Sequence, residues 1–384
     1  MADNMNIKNV ALLTIEPKIY NYGGFLQEMA MQDAIVNVMD KCQIINYSPS
    51  EESHTFPQKM DLKKFTLHRI IRKCKNTFFG KISPDNVKKI YVQRKRKFDD
   101  YREEKLIFTP PMRQVDVYNK KLPYDAIVCG SDQIWNPDYN IPAFFLGFAK
   151  RDQRKVIYAA SIGKESLTKL QLNTYAELMK GLDYISVREH SAKEILQPVA
   201  EQPITVVLDP TLLHSREYWE EKATESTKSY KNYVFCYFLD MTEKKVKAAK
   251  DYADKRGCEL IQIPYIHGRY DYLCEKLGGT MDSDVNPADF LKLIRDAECV
   301  LTDSFHAAVF SLLFQKDFWV FGRMAGSYNM NTRLDTLLGY FGAEERMIQP
   351  CDLAKKEYKP ITVSEDVLAP MREISFNYLK KALE

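Results

Sequence analysis

A chain of 384 residues is longer than the roughly 250–300 at which single hydrophobic cores stop growing, so two domains are predicted. Its 45% hydrophobic and 12% aromatic content is that of a globular protein and excludes collagen-like and disordered classes. Net charge is only +3, yet sixteen Lys/Arg against six Asp/Glu crowd Lys59–Lys105, leaving −7 for the rest of the chain.

Short runs rich in Val, Ile, Phe and Tyr alternate with amphipathic stretches of helical period, the pattern of parallel α/β sheets. The first half predicts strands at Val10–Ile15, Gln43–Asn46, Ala126–Cys129, Lys155–Ala160, Tyr184–Val187 and Thr205–Leu208, with helices at Phe25–Val38, Ser166–Lys180 and Ser191–Gln197. A basic helical insertion at about 58–108 interrupts this rhythm, and Asp209-Pro210-Thr211 closes it. The second half predicts strands at Tyr233–Leu239, Glu259–Ile263, Cys299–Leu301 and Asp317–Phe321. Its helices fall at Glu243–Lys255, Pro287–Asp296, Ser304–Phe314, Thr332–Tyr340 and Ser364–Leu383. The fold class is therefore α/β: two Rossmann-like domains facing a cleft, 1–210 and 211–384, the last helix packing back on the first. Ligands belong at the carboxyl ends of the strands.

The opening MADNMNIKNVALLTI has no positive n-region before an apolar stretch. No apolar run approaches the ~20 residues that span a bilayer, so a cytoplasmic protein is expected. Eight cysteines are scattered without a CxxC pair, several inside apolar runs such as YVFCYFL. Buried reduced thiols are expected, with no structural zinc. The basic block reads either as a solvated helical face or as an attachment to an anionic surface. It has little aromatic interleaving, so no nucleic-acid partner is expected.

Five segments carry candidate chemistry. Asn21-Tyr22-Gly23-Gly24-Phe25-Leu26-Gln27 is a glycine turn opening a helix: a tight turn, or an anion contact through free N–H groups of Asn21, Gly23, Gly24 and Gln27. Ser131, Asp132, Gln133, Trp135 and Asn136 follow the third strand. They form either a sugar platform, the indole stacking on a pyranose, or a turn whose polar side chains satisfy local backbone. Arg188 ends a strand and either forks onto a phosphate or carboxylate or pairs with Glu189. Asp303 or Ser304 is the N-cap of a helix whose first turn holds His306, where the dipole favours an anion and imidazole can act as general acid or base. The plain alternative for His306 is a partly buried residue. Arg323 ends the next strand, and Arg333 opens a helix behind the N-cap candidate Asn331 as a second anion ligand or a surface arginine.

Taken in order, NYGGFLQEMAM, VCGSDQIWNP, AASIG, ISVRE, VVLDPTLL and LTDSFHAAVFSLLF resemble the polysaccharide pyruvyl transferase family over about residues 9–341. The resemblance implies a GT-B-like fold, phosphoenolpyruvate as donor, and a glycan acceptor, lipid-linked in some pathways, for cell-surface polysaccharide biosynthesis. It implies no redox cofactor and no metal, and it promotes His306 and Arg188 to catalytic residues. It also implies acceptor binding by the first domain and donor binding by the second. Many members carry Arg-Leu-His where this chain has Ser304-Phe305-His306, so the missing charge falls to Arg333 or Arg323. Alternatives on the same frame are a nucleotide-sugar glycosyltransferase and a non-catalytic glycan-binding relative. Contact with an anionic membrane through Lys59–Lys105 is a further expectation.

Overall fold

The computed structural model describes residues 7–15, 20–47, 84–138, 142–264, 273–325, 328–329, 331–357 and 361–384. Two six-stranded sheets organise it. The first contains β1 (Val10–Leu13), β2 (Cys42–Ile44), β3 (Ala126–Asp132), β4 (Arg154–Ala160), β5 (Tyr184–Val187) and β6 (Ile204–Val206), in the order β2-β1-β3-β4-β5-β6. The second contains β7 (Tyr233–Tyr237), β8 (Glu259–Gln262), β9 (Thr280–Met281), β10 (Cys299–Thr302), β11 (Phe318–Phe321) and, after a small hairpin of β12 (Met324–Ala325) and β13 (Tyr328–Asn329), β14 (Met347–Ile348). Its order is β14-β11-β10-β7-β8-β9. Every pairing within both six-stranded sheets is parallel, so the doubly wound architecture read from the sequence is present. The central strands are buried on both faces, which is why they read as unbroken apolar runs.

Strand β3 continues past the expected Cys129 to Asp132, pairing Gly130 with Tyr158 and Asp132 with Ala160. Gly130 has φ +141°, and a Cβ there would overlap the Tyr158 carbonyl. A bare backbone is needed at that crossing. The extension carries polar side chains inward to the junction of the two sheets.

Helix Tyr22–Met39 begins three residues before the sequence expectation because the Asn21 side chain accepts from Gly23 N and starts it there. It lies between the halves. Tyr22 stacks on Phe290 at 4.8 Å between centroids and donates to Val285 O at 3.0 Å. One apolar core therefore runs through both halves, including Phe25, Leu212, Trp219, Phe290 and Phe310. The C-terminal helix Glu365–Leu383 lies on the first sheet, where Tyr378 Oη donates to Ile157 O at 2.7 Å and Ser375 Oγ accepts from Leu208 N at 3.0 Å.

Of the basic insertion, residues 58–83 lie outside the described residues. The described part is helix Pro84–Lys105. Phe98 and Tyr101 bury one face of it against Tyr22 and Phe25. Its cations meet the second half: Arg94 Nη1 donates to Pro264 O at 2.6 Å, Lys97 pairs with Asp284 at 3.0 Å, and Lys105 pairs with Glu225 at 2.9 Å. Much of the local positive charge in this helix is thus spent within the chain. Among the described residues, no helix is long and apolar enough to cross a membrane.

Candidate active site

Five element ends converge on one carboxylate. Asp209 follows β6 and caps the short helix Pro210–Leu213, so Oδ1 is used up accepting from Thr211 N at 3.0 Å and Thr211 Oγ1 at 2.6 Å. Its Oδ2 accepts from Arg188 Nη1 and from Ser131 Oγ at 3.4 Å, and lies 3.6 Å from His306 Nε2. Arg188 is held there because its backbone N–H donates to Ala160 O at 3.1 Å, prolonging the β5 ladder by one residue. His306 enters from the second half, in the first turn of helix Phe305–Leu313, capped by Ser304.

Asp132 brings the second carboxylate. It adopts the left-handed region with φ +68°, which Asp tolerates better than most side chains. Its Oδ1 accepts from Arg188 Nη2 at 3.1 Å and lies 3.6 Å from Arg333 Nη1. The amide end of Gln133 lies 2.6 Å from Arg333 Nη2 and 3.0 Å from Nη1, its carbonyl oxygen being the end that satisfies the guanidinium. Phe305 presents its ring to both arginines, with Arg188 Cζ at 4.4 Å and Arg333 Cζ at 5.8 Å from the centroid.

Burial alone would push both aspartates up, but Arg188, with His306 next, holds them below the ordinary carboxylate range. Burial would lower Arg188 too, and there Asp209 and Asp132 win and raise it. Arg333 falls to about 10, from burial first and then repulsion by Arg188. The cluster thus sets two guanidinium groups against two carboxylates beside the His306 ring. Burial raises Glu189, against Arg188 and the hydroxyl of Ser161 that donates to its Oε1, and its Oε2 has no hydrogen-bond partner.

The first half approaches His306 through Gly23: a Cβ there would sit 2.7 Å from His306 Cβ and closer still to its ring. That contact explains one glycine of the Asn21-Tyr22-Gly23-Gly24 turn. Gly24 is under no such constraint, its Cβ position lying 3.8 Å from Asn21 Cβ. Gln27 is fully buried and cross-braces the layer, donating to Thr14 Oγ1 and Gly24 O and accepting from Ser131 N.

Trp135 requires a correction. Its indole is 1% exposed, stacks on Phe145 at 5.0 Å, and donates to Phe144 O. It is core under the β3 loop, and no face is left for a pyranose. Asn136 lies beside it, its side-chain oxygen accepting from Asp138 N. Asp303 is structural in its contacts: Lys245 Nζ at 2.7 Å and the N–H groups of Leu239 and Asp240 tie it to the end of β7. Arg323 is half-buried, its backbone N–H donating to Asn331 Oδ1 at 2.8 Å, its Nε buried without a partner. It acts electrostatically on both Asp303 and Arg333, so it stands at the edge of the cluster.

The cavity between Arg188, Asp209, Phe305, Arg333 and Tyr340 is about 10 Å³, room for one water. A larger, open cavity of about 670 Å³, sharing no lining residue with it, lies at the ends of β11 and β14, lined by Gly322, Asn331, Asp335, Glu344, Gln349 and Lys356 among others. Sequence reasoning passed over this cavity and the roles of Asp209, Glu189 and Phe305. Asp209 was visible as the Asp-Pro-Thr after β6 but read only as a boundary.

The family profile described as Polysaccharide pyruvyl transferase matches residues 21–323. No curated protein matches the sequence. Similar solved structures include the UDP-GlcNAc 2-epimerase of Neisseria meningitidis bound to UDP-GlcNAc, at 9% identity and TM-score 0.48, covering 98% of this chain and 97% of that one. The UDP-GlcNAc 2-epimerase of Methanocaldococcus jannaschii, in complex with UDP-GlcNAc and UDP, gives 13% identity and TM-score 0.47 over 96% and 99% of the two chains. A mutant O-GlcNAc transferase of Thermobaculum terrenum gives 14% and 0.38 over 98% and 64%. Likeness at this level assigns no chemistry.

Proposed function

Because the chain belongs to the polysaccharide pyruvyl transferase family, we propose that it transfers the pyruvyl group of phosphoenolpyruvate to two hydroxyls of a glycan, forming a ketal in cell-surface polysaccharide biosynthesis. The observation that carries this reading is the meeting of Arg188, Arg333 and His306 around two carboxylates at the junction of the sheets. Phosphoenolpyruvate bears a carboxylate and a phosphate on a three-carbon enol, so two cationic clamps suit it. In this structure Asp132 and Asp209 hold those clamps. Donor binding exchanges Asp132 for substrate anion at Arg188 and Arg333 and widens the 10 Å³ space.

His306 then serves the proton traffic. A proton added to the methylene carbon leaves an oxocarbenium-like C2, which a sugar hydroxyl attacks with loss of its own proton. Phosphate departs with the C2–O bond electrons, and the neighbouring hydroxyl closes the ketal, releasing the second proton. His306 is positioned to relay these protons or to stabilise the leaving phosphate. The saccharide is assigned to the 670 Å³ cavity of the second half, whose size is that of a small-molecule site, and not to the first half that the resemblance implied. Ser304 caps the helix that carries His306.

The test is phosphate release on incubation with phosphoenolpyruvate and a library of candidate glycans. Thermal shift against a panel of nucleotide sugars accompanies it, because only the true donor raises the midpoint by mass action. A midpoint raised by a nucleotide sugar and not by phosphoenolpyruvate would replace this reading with glycosyl transfer. Peripheral attachment to anionic lipid through Lys59–Lys105 is part of the proposal: reversing basic residues there, Arg69, Arg72 and Lys73 among them, to Glu should lower flotation with anionic liposomes, and unchanged flotation removes it.

A further inference from the structure

Phe305 occupies the position between the helix cap and His306. Its side chain is 5% exposed, and His306 meets it edge-on at 5.1 Å and 86°. On it converge Arg188 from the first half and Arg333 from the second, at 4.4 and 5.8 Å. Two buried guanidinium groups brought this close repel each other. Asp132 offsets part of that repulsion by bridging them at 3.1 and 3.6 Å. The aromatic face adds a smaller offset, because a guanidinium over a ring is attracted to its quadrupole, most strongly where water is excluded. Among the described residues, Arg188 Nε and Arg333 Nε are both buried without a hydrogen-bond partner, and both residues line with Phe305 the same 10 Å³ cavity. An aliphatic side chain would fill similar space but would give these donors nothing.

We propose that Phe305 is the positioning residue that holds Arg188 and Arg333 together as one anion-binding pair, in place of the arginine that position 304 lacks. The inference rests on the donor reading above.

The experiment compares Phe305→Leu, Phe305→Tyr and the double change Ser304→Arg with Phe305→Leu. Calorimetry follows uptake of phosphoenolpyruvate and, separately, of inorganic phosphate, alongside donor KM, kcat and urea unfolding. Phe305→Leu should weaken donor binding and raise donor KM on the order of tenfold while kcat at saturating donor changes much less. Phe305→Tyr should keep wild-type affinity, and Ser304→Arg in the leucine background should restore it. Equal affinity in wild type and the leucine variant, or equal loss in the leucine and tyrosine variants, overturns the positioning role. If wild type takes up phosphate but not phosphoenolpyruvate, and phosphate shows the leucine-against-tyrosine split, the donor reading fails and the positioning role stands. Uptake of neither anion by wild type overturns both.

Discussion

Replacing Asp209 by Asn keeps the shape of the side chain and deletes its charge. Asp209 is 1% exposed, and its Oδ1 can still accept from Thr211 as an amide oxygen. On the other side, an amide NH₂ would then face Arg188 Nη1 and Ser131 Oγ where a carboxylate oxygen accepted. Arg188 would keep only Asp132, at 3.1 Å. Unpairing a buried charge costs about 3–5 kcal/mol, and the surviving Asp132 contact puts the expectation at the lower end, about 3 kcal/mol. Coulomb attraction at an effective dielectric near 20 gives about 4 kcal/mol for unit charges 4 Å apart, the same order. Urea unfolding followed by near-ultraviolet circular dichroism measures the loss. Combining Asp209→Asn with Arg188→Leu removes both charges, so the double variant should lose at least 1 kcal/mol less than the sum of the singles. A single-variant loss below about 1 kcal/mol, or additivity within about 0.5 kcal/mol, would refute the buried ion-pair account.

Gly23→Ala places a methyl inside the His306 imidazole, so the ring must retreat by about 1 Å, a displacement worth on the order of 10²-fold in turnover. Stability should fall by only about 1–2 kcal/mol, since overpacking is partly offset by better helix propensity; turnover within threefold of wild type would contradict the contact. Glu28 is buried near Arg102, and burial lifts its carboxyl from 4.5 to about 7. The folded state therefore holds the proton more tightly, so this group's contribution is full below pH 4.5 and is lost as pH rises to 7, at up to about 1.4 kcal/mol per unit. Glu28→Gln should flatten the stability curve across that window and exceed wild type above pH 7; parallel curves would remove the assignment. Tyr22→Ala strips the stack on Phe290 and the bond to Val285 O, costing about 3–5 kcal/mol and separating the unfolding of the two halves in calorimetry. A single unshifted transition would show that the halves are not joined through this ring.

The sequence by itself determined the parallel sheets, because strands such as Val10–Leu13 and β10 up to Leu301 are buried on both faces and so read as continuous apolar runs. It also determined that Arg188 and His306 stand at element ends, since a polar residue closing such a run marks where the chain leaves the core. The helix cap was legible to within one residue, Asp303 or Ser304, and the structure places it at Ser304. Period and spacing could not say which way Trp135 points: Phe145, later in the chain, covers the indole and draws it under the loop. Nor could they show that Arg333 reaches Asp132, or that Gly23 is bare because His306 needs its space. These contacts cross between the sheets, and only the packing of the helices between them sets that distance. Local pattern records whether a side chain is buried, whereas tertiary packing decides against what, and for a cluster of two carboxylates and two guanidinium groups the identity of the neighbour sets the charge.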